Sequence, residues 1–189
     1  MKNIAIFGSA RSGKSTLSKM IVKKFPNYQI YIGDDIRGAF DDVFPSLNIN
    51  SRGGSGMVND FPKYVSDLFH RSIKRNSGDF SYIVETCDIK PEKAKELFER
   101  DDTIVLFLGI SNLTVEQHFQ DIRKYETEKD WTYDRTDENI LEHCNYWIPE
   151  SKNIKEECER LNLWYVDTSI NRQEVLEKTL AEIEKIIGE

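Results

Sequence analysis

Eight consecutive residues near the start, Gly8-Ser9-Ala10-Arg11-Ser12-Gly13-Lys14-Ser15, satisfy the spacing G-x-x-x-x-G-K-[ST]. That spacing is suited to phosphate. Its glycines let the chain curl until successive backbone N–H groups point into one concave nest, and a helix starting there adds its positive end. The Lys14 ammonium is placed for the outer phosphates of a nucleoside triphosphate and the Ser15 hydroxyl for Mg2+, with the Thr16 hydroxyl reaching the innermost phosphate. The context agrees: Asn3 to Phe7 (NIAIF) reads as a strand and Thr16 to Lys24 as a helix, so the loop lies between the two elements it requires. Residues 8–16 are therefore expected to bind ATP together with Mg2+.

The other candidates are carboxylates and cations at the ends of later apolar runs. Gly33-Asp34-Asp35-Ile36-Arg37 follows the run Tyr28 to Ile32, and Glu85 closes the run Ser81 to Glu85, with Asp88 three residues on. A carboxylate ending a strand beside a phosphate loop suits a metal or a metal-bound water, which makes Glu85 the metal-side candidate and Asp88 its competitor. Asp34 and Asp35 stand at the start of the following helix, where either would also suit a helix cap. Arg123 and Arg135 lie in the 110–136 stretch, where a segment closing over a nucleotide would neutralise the transferring group. Arg123 is the first choice there and Arg135 the second, although Glu116, Asp121, Glu126 and Glu128 allow Arg123 to belong to a solvated ion-pair face. A GTPase would carry N-K-x-D after a later strand, and none is present. Asp35-Ile36-Arg37-Gly38 spells D-x-x-G but comes too early to be the usual switch, and no acidic pair ends a strand as in motor ATPases.

With the phosphate loop before it, G-D-x-x-R after the second strand resembles the nucleoside monophosphate kinases, adenylate kinase in particular. The resemblance implies that Asp34 sits near the metal and the transferring phosphoryl group and that Arg37 binds an acceptor's phosphate. In the related shikimate and gluconate kinase-like proteins an Asp at this point binds or deprotonates an acceptor hydroxyl, a role open to Asp34 or Asp35. The resemblance is specific over about the first 40 residues and topological beyond them. The third strand departs from adenylate kinases, which carry Asp-Gly-x-Pro-Arg there: this chain has Glu85-Thr86-Cys87-Asp88, no Pro before Pro91 and no Arg before Arg100. The missing Arg removes one expected contact to an acceptor phosphate. The turn Thr168 to Asn171 is similar to the one that holds adenine in such kinases, largely by backbone contacts.

Positioning these groups requires a sheet with its loops gathered at one end. The runs Asn3 to Phe7, Tyr28 to Ile32, Ser81 to Glu85, Thr103 to Leu108 and Leu163 to Val166 are mostly apolar on consecutive positions, as strands covered on both faces are. Between them lie helical stripes: Phe61 to Ile73, a stretch opened by Pro91, one opened by the capping box at Thr114, Ile140 to Ile148 ended by Pro149, and Val175 to Ile187. Alternation of this kind predicts a single α/β domain spanning 1–189, a three-layer α/β/α sandwich on a five-stranded parallel sheet of the P-loop NTPase fold. Within it, 34–76 is expected to bind the acceptor and 110–136 to form a lid. Pro45 to Met57, rich in Ser, Asn and Gly, resists assignment and is expected to be a functional or mobile loop. Phe40, Phe44, Phe61 and Tyr64 flank it and suit a core more than a ligand wall.

Composition narrows the partners. The chain has 189 residues and a formal charge of −7, which disfavours unspecific attraction to nucleic acid or anionic membrane. No run is long enough to span a bilayer. Cys87, Cys144 and Cys158 are odd in number without C-x-x-C, as expected of reduced thiols in the cytoplasm, and the three histidines share no zinc-ligand spacing. The expectation is a phosphotransferase that moves the γ-phosphoryl group of ATP to a nucleotide or other small-molecule acceptor. Its rival is a nucleotide-dependent ATPase switch or regulatory ATP-binding protein.

Overall fold

The computed structural model describes residues 2–47, 57–76 and 78–188. Five strands, β1 (Asn3–Gly8), β2 (Tyr28–Ile32), β3 (Ser81–Glu85), β4 (Thr103–Gly109) and β5 (Trp164–Asp167), form one parallel sheet in the order β2-β3-β1-β4-β5. The helices are α1 (Lys14–Lys24), α2 (Gly33–Val43), α3 (Met57–Arg75), α4 (Pro91–Phe98), α5 (Val115–Tyr125), α6 (Asp137–Leu161) and α7 (Arg172–Gly188). A short 3-10 turn, Pro45–Leu47, follows α2. No helix among the described residues is long and apolar enough to cross a membrane.

The consecutive apolar residues of the strands are explained by two separate cores. Ile4, Ile6, Leu106 and Leu108 face Leu17 and Ile21 of α1 and Leu176 and Ile183 of α7. Their neighbours Ala5, Phe7 and Phe107 point the other way, onto Val65 and Phe69 of α3, Phe98 of α4, and Ile154 and Cys158 of α6. Side chains alternate sides along a strand, so a strand that is apolar at every position needs cover on both faces, which gives the three expected layers. Every crossover returns the chain to the same end of the sheet, bringing Gly8, Ile32, Glu85, Gly109 and Asp167 together at its carboxyl edge.

Two helices run past the proline or pattern that bounded them in the sequence. Pro149 was expected to end the stripe from Ile140, yet α6 continues to Leu161 with Pro149 inside it. An interior proline costs about 3 kcal/mol. The extra turns bury Ile154 and Cys158 under the sheet, and Ser151 Oγ accepts the Ile110 N–H at 2.7 Å. Burying Ile154 at about 2 kcal/mol, with the smaller gain from Cys158 and about 1 kcal/mol from that hydrogen bond, offsets the proline. Likewise α3 starts at Met57, ahead of Phe61, with Pro62 inside it. Of the unassigned stretch, residues 48–56 lie outside the described residues. The capping box at Thr114 and Pro91 in the first turn of α4 are present as expected, and all three cysteines are free thiols.

Candidate nucleotide and acceptor site

The loop between β1 and α1 turns on backbone shapes that ordinary side chains resist. Gly8 has φ 119, and a Cβ there would lie 2.0 Å from the Leu108 carbonyl oxygen, so only glycine lets β1 leave the sheet alongside β4. Arg11 and Gly13 also have positive φ, 60 and 99. Ser12 Oγ donates to the Ser9 carbonyl at 2.8 Å, drawing the curl closed. Lys14 is buried, and its ammonium donates to the carbonyls of Ser9 at 2.7 Å and Gly8 at 3.2 Å. Ser9 Oγ is buried without a hydrogen-bond partner inside the same curl. Ala10 packs against the cluster of Ile122, Ile140, Cys144 and Trp147, while Thr16 is exposed.

Glu85, at the end of β3, is 3 % exposed and accepts a hydrogen bond from Ser15 Oγ at 3.1 Å. Burial raises its pKa, and the Ser15 hydroxyl and Lys14 charge partly offset that rise. The two groups assigned to the metal side thus touch. They fit Mg2+ as a hydroxyl and a carboxylate, hard oxygen donors beside a phosphate nest.

Beside them the ends of β2 and β3 meet closely. A Cβ on Gly33 would lie 2.4 Å from Thr86 Cβ, so glycine permits the contact that sets Asp34 against Cys87 and Asp88. Arg37 bridges this group: one guanidinium nitrogen donates to Asp34 Oδ1 at 2.8 Å and another to Asp88 Oδ2. Its burial would lower the guanidinium pKa, but the charges of Asp88 and Asp34 outweigh this and raise it. Thr86 Oγ1 donates to the same Asp88 oxygen at 3.0 Å, and the Cys87 thiol, its pKa pushed up by burial, lies 4.0 Å from Asp34. Potential ligand atoms of Asp34, Cys87 and Asp88 lie within 4.8 Å of one another, with Arg37 as the cation on them. Asp35 is exposed.

On the far side of the loop, a cleft of about 870 Å3 is lined by Thr16, Tyr125, Thr168, Asn171 and Arg172. Thr168, fully buried after β5, donates through its hydroxyl toward the Ser12 carbonyl at 2.8 Å and the Gly109 carbonyl at 3.0 Å. It braces the loop between β1 and α1, a role that no local sequence signal reveals because its partners are 156 and 59 residues away. Arg172 has its guanidinium pKa lowered by burial, and its Nε is buried without a hydrogen-bond partner. Nothing local in the sequence singles out Arg172, which opens α7.

The arginines of 110–136 sit differently. Arg123 donates to Glu126 at 2.9 Å, to Asp137 and to the carbonyls of Thr132 and Arg135, holding together the connection between α5 and α6. None of these bonds reaches the phosphate loop. Arg135 is exposed and enters no ion pair among the described residues. The contact from this region to the loop comes instead from Asp130, which pairs with Arg11 and is itself fixed by Thr127. Of the aromatics, Phe61 is buried, Phe40 packs edge-on against Tyr64 at 4.7 Å, and Phe44 and Tyr64 are exposed.

No protein family matches the sequence, and no curated protein does. Solved structures do match. The chain is similar to a shikimate kinase from Bacteroides thetaiotaomicron, with 12% identity and a TM-score of 0.59 over 100% of this chain and 99% of that one. It is also similar to a gluconokinase from Sinorhizobium meliloti 1021, with 14% identity and a TM-score of 0.60 over 98% and 93%. The fold is that of P-loop small-molecule kinases.

Proposed function

We propose that the chain is a phosphotransferase that uses ATP and Mg2+ to phosphorylate a small-molecule acceptor, a nucleotide among the candidates. The observation that carries this reading is the 3.1 Å contact between the Ser15 hydroxyl and the buried Glu85 carboxylate, directly under the phosphate nest. A glycine-rich turn with an incidental lysine has no reason to bury a carboxylate there, since burying a charge without a strong partner is costly.

In this reading the backbone N–H groups of residues 8–15 hold the β- and γ-phosphates. Lys14 exchanges the Gly8 and Ser9 carbonyls for phosphate oxygens. Ser15 and Glu85 would hold Mg2+, which supplies positive charge against the phosphate oxygens when bound. The cleft bounded by Thr16, Tyr125 and Arg172 is of a size that suits a nucleoside. Asp34, oriented by Arg37, accepts the acceptor's proton at a carboxylate oxygen as its oxygen bonds to the γ-phosphorus and the bond to the leaving ADP breaks. Asp35 stands ready at the same helix start for the acceptor's other hydroxyls. The described parts of 34–76 would supply the acceptor side and 110–136 the lid, through which Arg123 or Arg135 would approach the transferring group. Arg123 would first have to leave Glu126 and Asp137.

The test is transfer of label from γ-labelled ATP to a panel of nucleosides, monophosphates, sugars and polyol acids, with Lys14→Ala as the blank. Label moving to an acceptor with wild type and not with the blank supports the reading. Hydrolysis that no acceptor stimulates, answered only by a macromolecular partner, would replace it with an ATPase switch.

A further inference from the structure

The charge arrangement at the acceptor side indicates what kind of acceptor fits. An anionic acceptor needs a cation with donors to spare, placed where its phosphate or carboxylate will lie. At the carboxyl ends of β2 and β3, Arg37 is the described cation in contact with Asp34 and Asp88, while Lys19 of α1 acts on Glu85. Lys90 is paired with Glu150 of α6. Arg37 serves two different carboxylates at once, Asp34 through one nitrogen and Asp88 through another. One positive charge therefore answers two negative ones, and the exposed Asp35 adds a third.

A phosphate or carboxylate brought to this place would have to displace one of Arg37's partners and then sit beside the carboxylate it displaced. Like charges in such contact disfavour binding strongly. The third strand offers no relief, since Thr86, Cys87 and Asp88 supply hydroxyl, thiol and carboxylate but no cation. A neutral hydroxyl meets none of these penalties. It can donate to Asp34 without disturbing either ion pair, and Asp34 then accepts its proton during transfer.

We propose, resting on the phosphotransferase reading above, that the acceptor is a neutral hydroxyl compound carrying neither phosphate nor carboxylate, and that Asp88 enforces this by occupying Arg37. The adenylate kinase resemblance points Arg37 at an acceptor phosphate; the pairing with Asp34 and Asp88 assigns it to holding carboxylates instead.

The experiment compares anion binding in protein preloaded with MgADP, so that the phosphate nest is filled. Gluconate and AMP are titrated by calorimetry into wild type, Asp88→Asn and Arg37→Ala. The expected result is no saturable binding of either anion to wild type and measurable binding to Asp88→Asn, where one edge of Arg37 is released. Saturable binding of either anion to wild type that Arg37→Ala abolishes would overturn the proposal, as would an Asp88→Asn variant that still binds neither. In the γ-labelled ATP assay, matched pairs should agree: glucose over gluconate and adenosine over AMP, by about tenfold or more in kcat/KM. Failure of the phosphotransferase reading shows separately, as ATP binding that Lys14→Ala leaves unchanged.

Discussion

Thr168→Val changes a hydroxyl for a methyl of nearly the same volume, so packing is preserved and the hydrogen bonds alone are tested. The Gly109 carbonyl loses little, because the Thr168 N–H, at 2.8 Å, remains its partner. The Ser12 carbonyl loses the hydroxyl at 2.8 Å. A lost hydrogen bond costs about 1 kcal/mol and a buried acceptor left unpaired about 1–3 kcal/mol. If the loop stays in place, the whole amount appears as lowered stability, a fall in the urea midpoint read by tryptophan fluorescence. If the loop relaxes toward water, part of the cost moves into ATP binding. A shift of about 1.4 kcal/mol there is tenfold in Kd. Stability and ATP affinity together should therefore lose about 2 kcal/mol. Thr168→Ser, which keeps the hydroxyl, should recover most of the ATP affinity. A Val variant unchanged in both urea midpoint and ATP Kd would refute the brace.

Three further outcomes are expected. Glu85→Gln should lower transfer about 100-fold while metal-free ATP binding changes little. His118 is fully buried with both ring nitrogens unbonded, and burial lowers its pKa from 6.5 to about 4. It is neutral when folded, so its contribution to stability is present above pH 6.5 and lost as pH falls toward 4; stability should drop by about 2 kcal/mol between pH 7 and 5 from this group, and urea titrations of His118→Phe should lack that slope. Arg11 has φ 60 in the phosphate loop, so Arg11→Gly and Arg11→Ala lose the same Asp130 ion pair but differ in backbone strain; the Gly variant should be the more stable by about 1 kcal/mol in thermal or urea unfolding.

Much of the site was legible because its parts are close in sequence. The loop Gly8 to Ser15 is a local motif, and Asp34, Arg37 and Glu85 stand at the ends of apolar runs whose strand character is plain. What was illegible depends on partners far along the chain. Arg123 read either as a lid arginine or as part of an ion-pair face, and the structure pairs it with Glu126 and with Asp137 beyond the helix. Asp130 shows nothing in sequence that ties it to Arg11, 119 residues away. Pro149 reads as a stop by local rules, and only the burial of Ile154 and Cys158 beneath the sheet carries the helix through it.

The layered fold and the tight loop Gly8 to Ser15 could be read from the chain, because the apolar periodicity of strands and helices and the φ freedom of glycine act within a few residues. Tertiary structure decided which charges remain available for a ligand. The adenylate kinase resemblance points Arg37 at a phosphate, whereas the fold pairs it with two carboxylates, since the Arg37–Asp88 ion pair forms only where separate strand ends are brought within hydrogen-bonding reach.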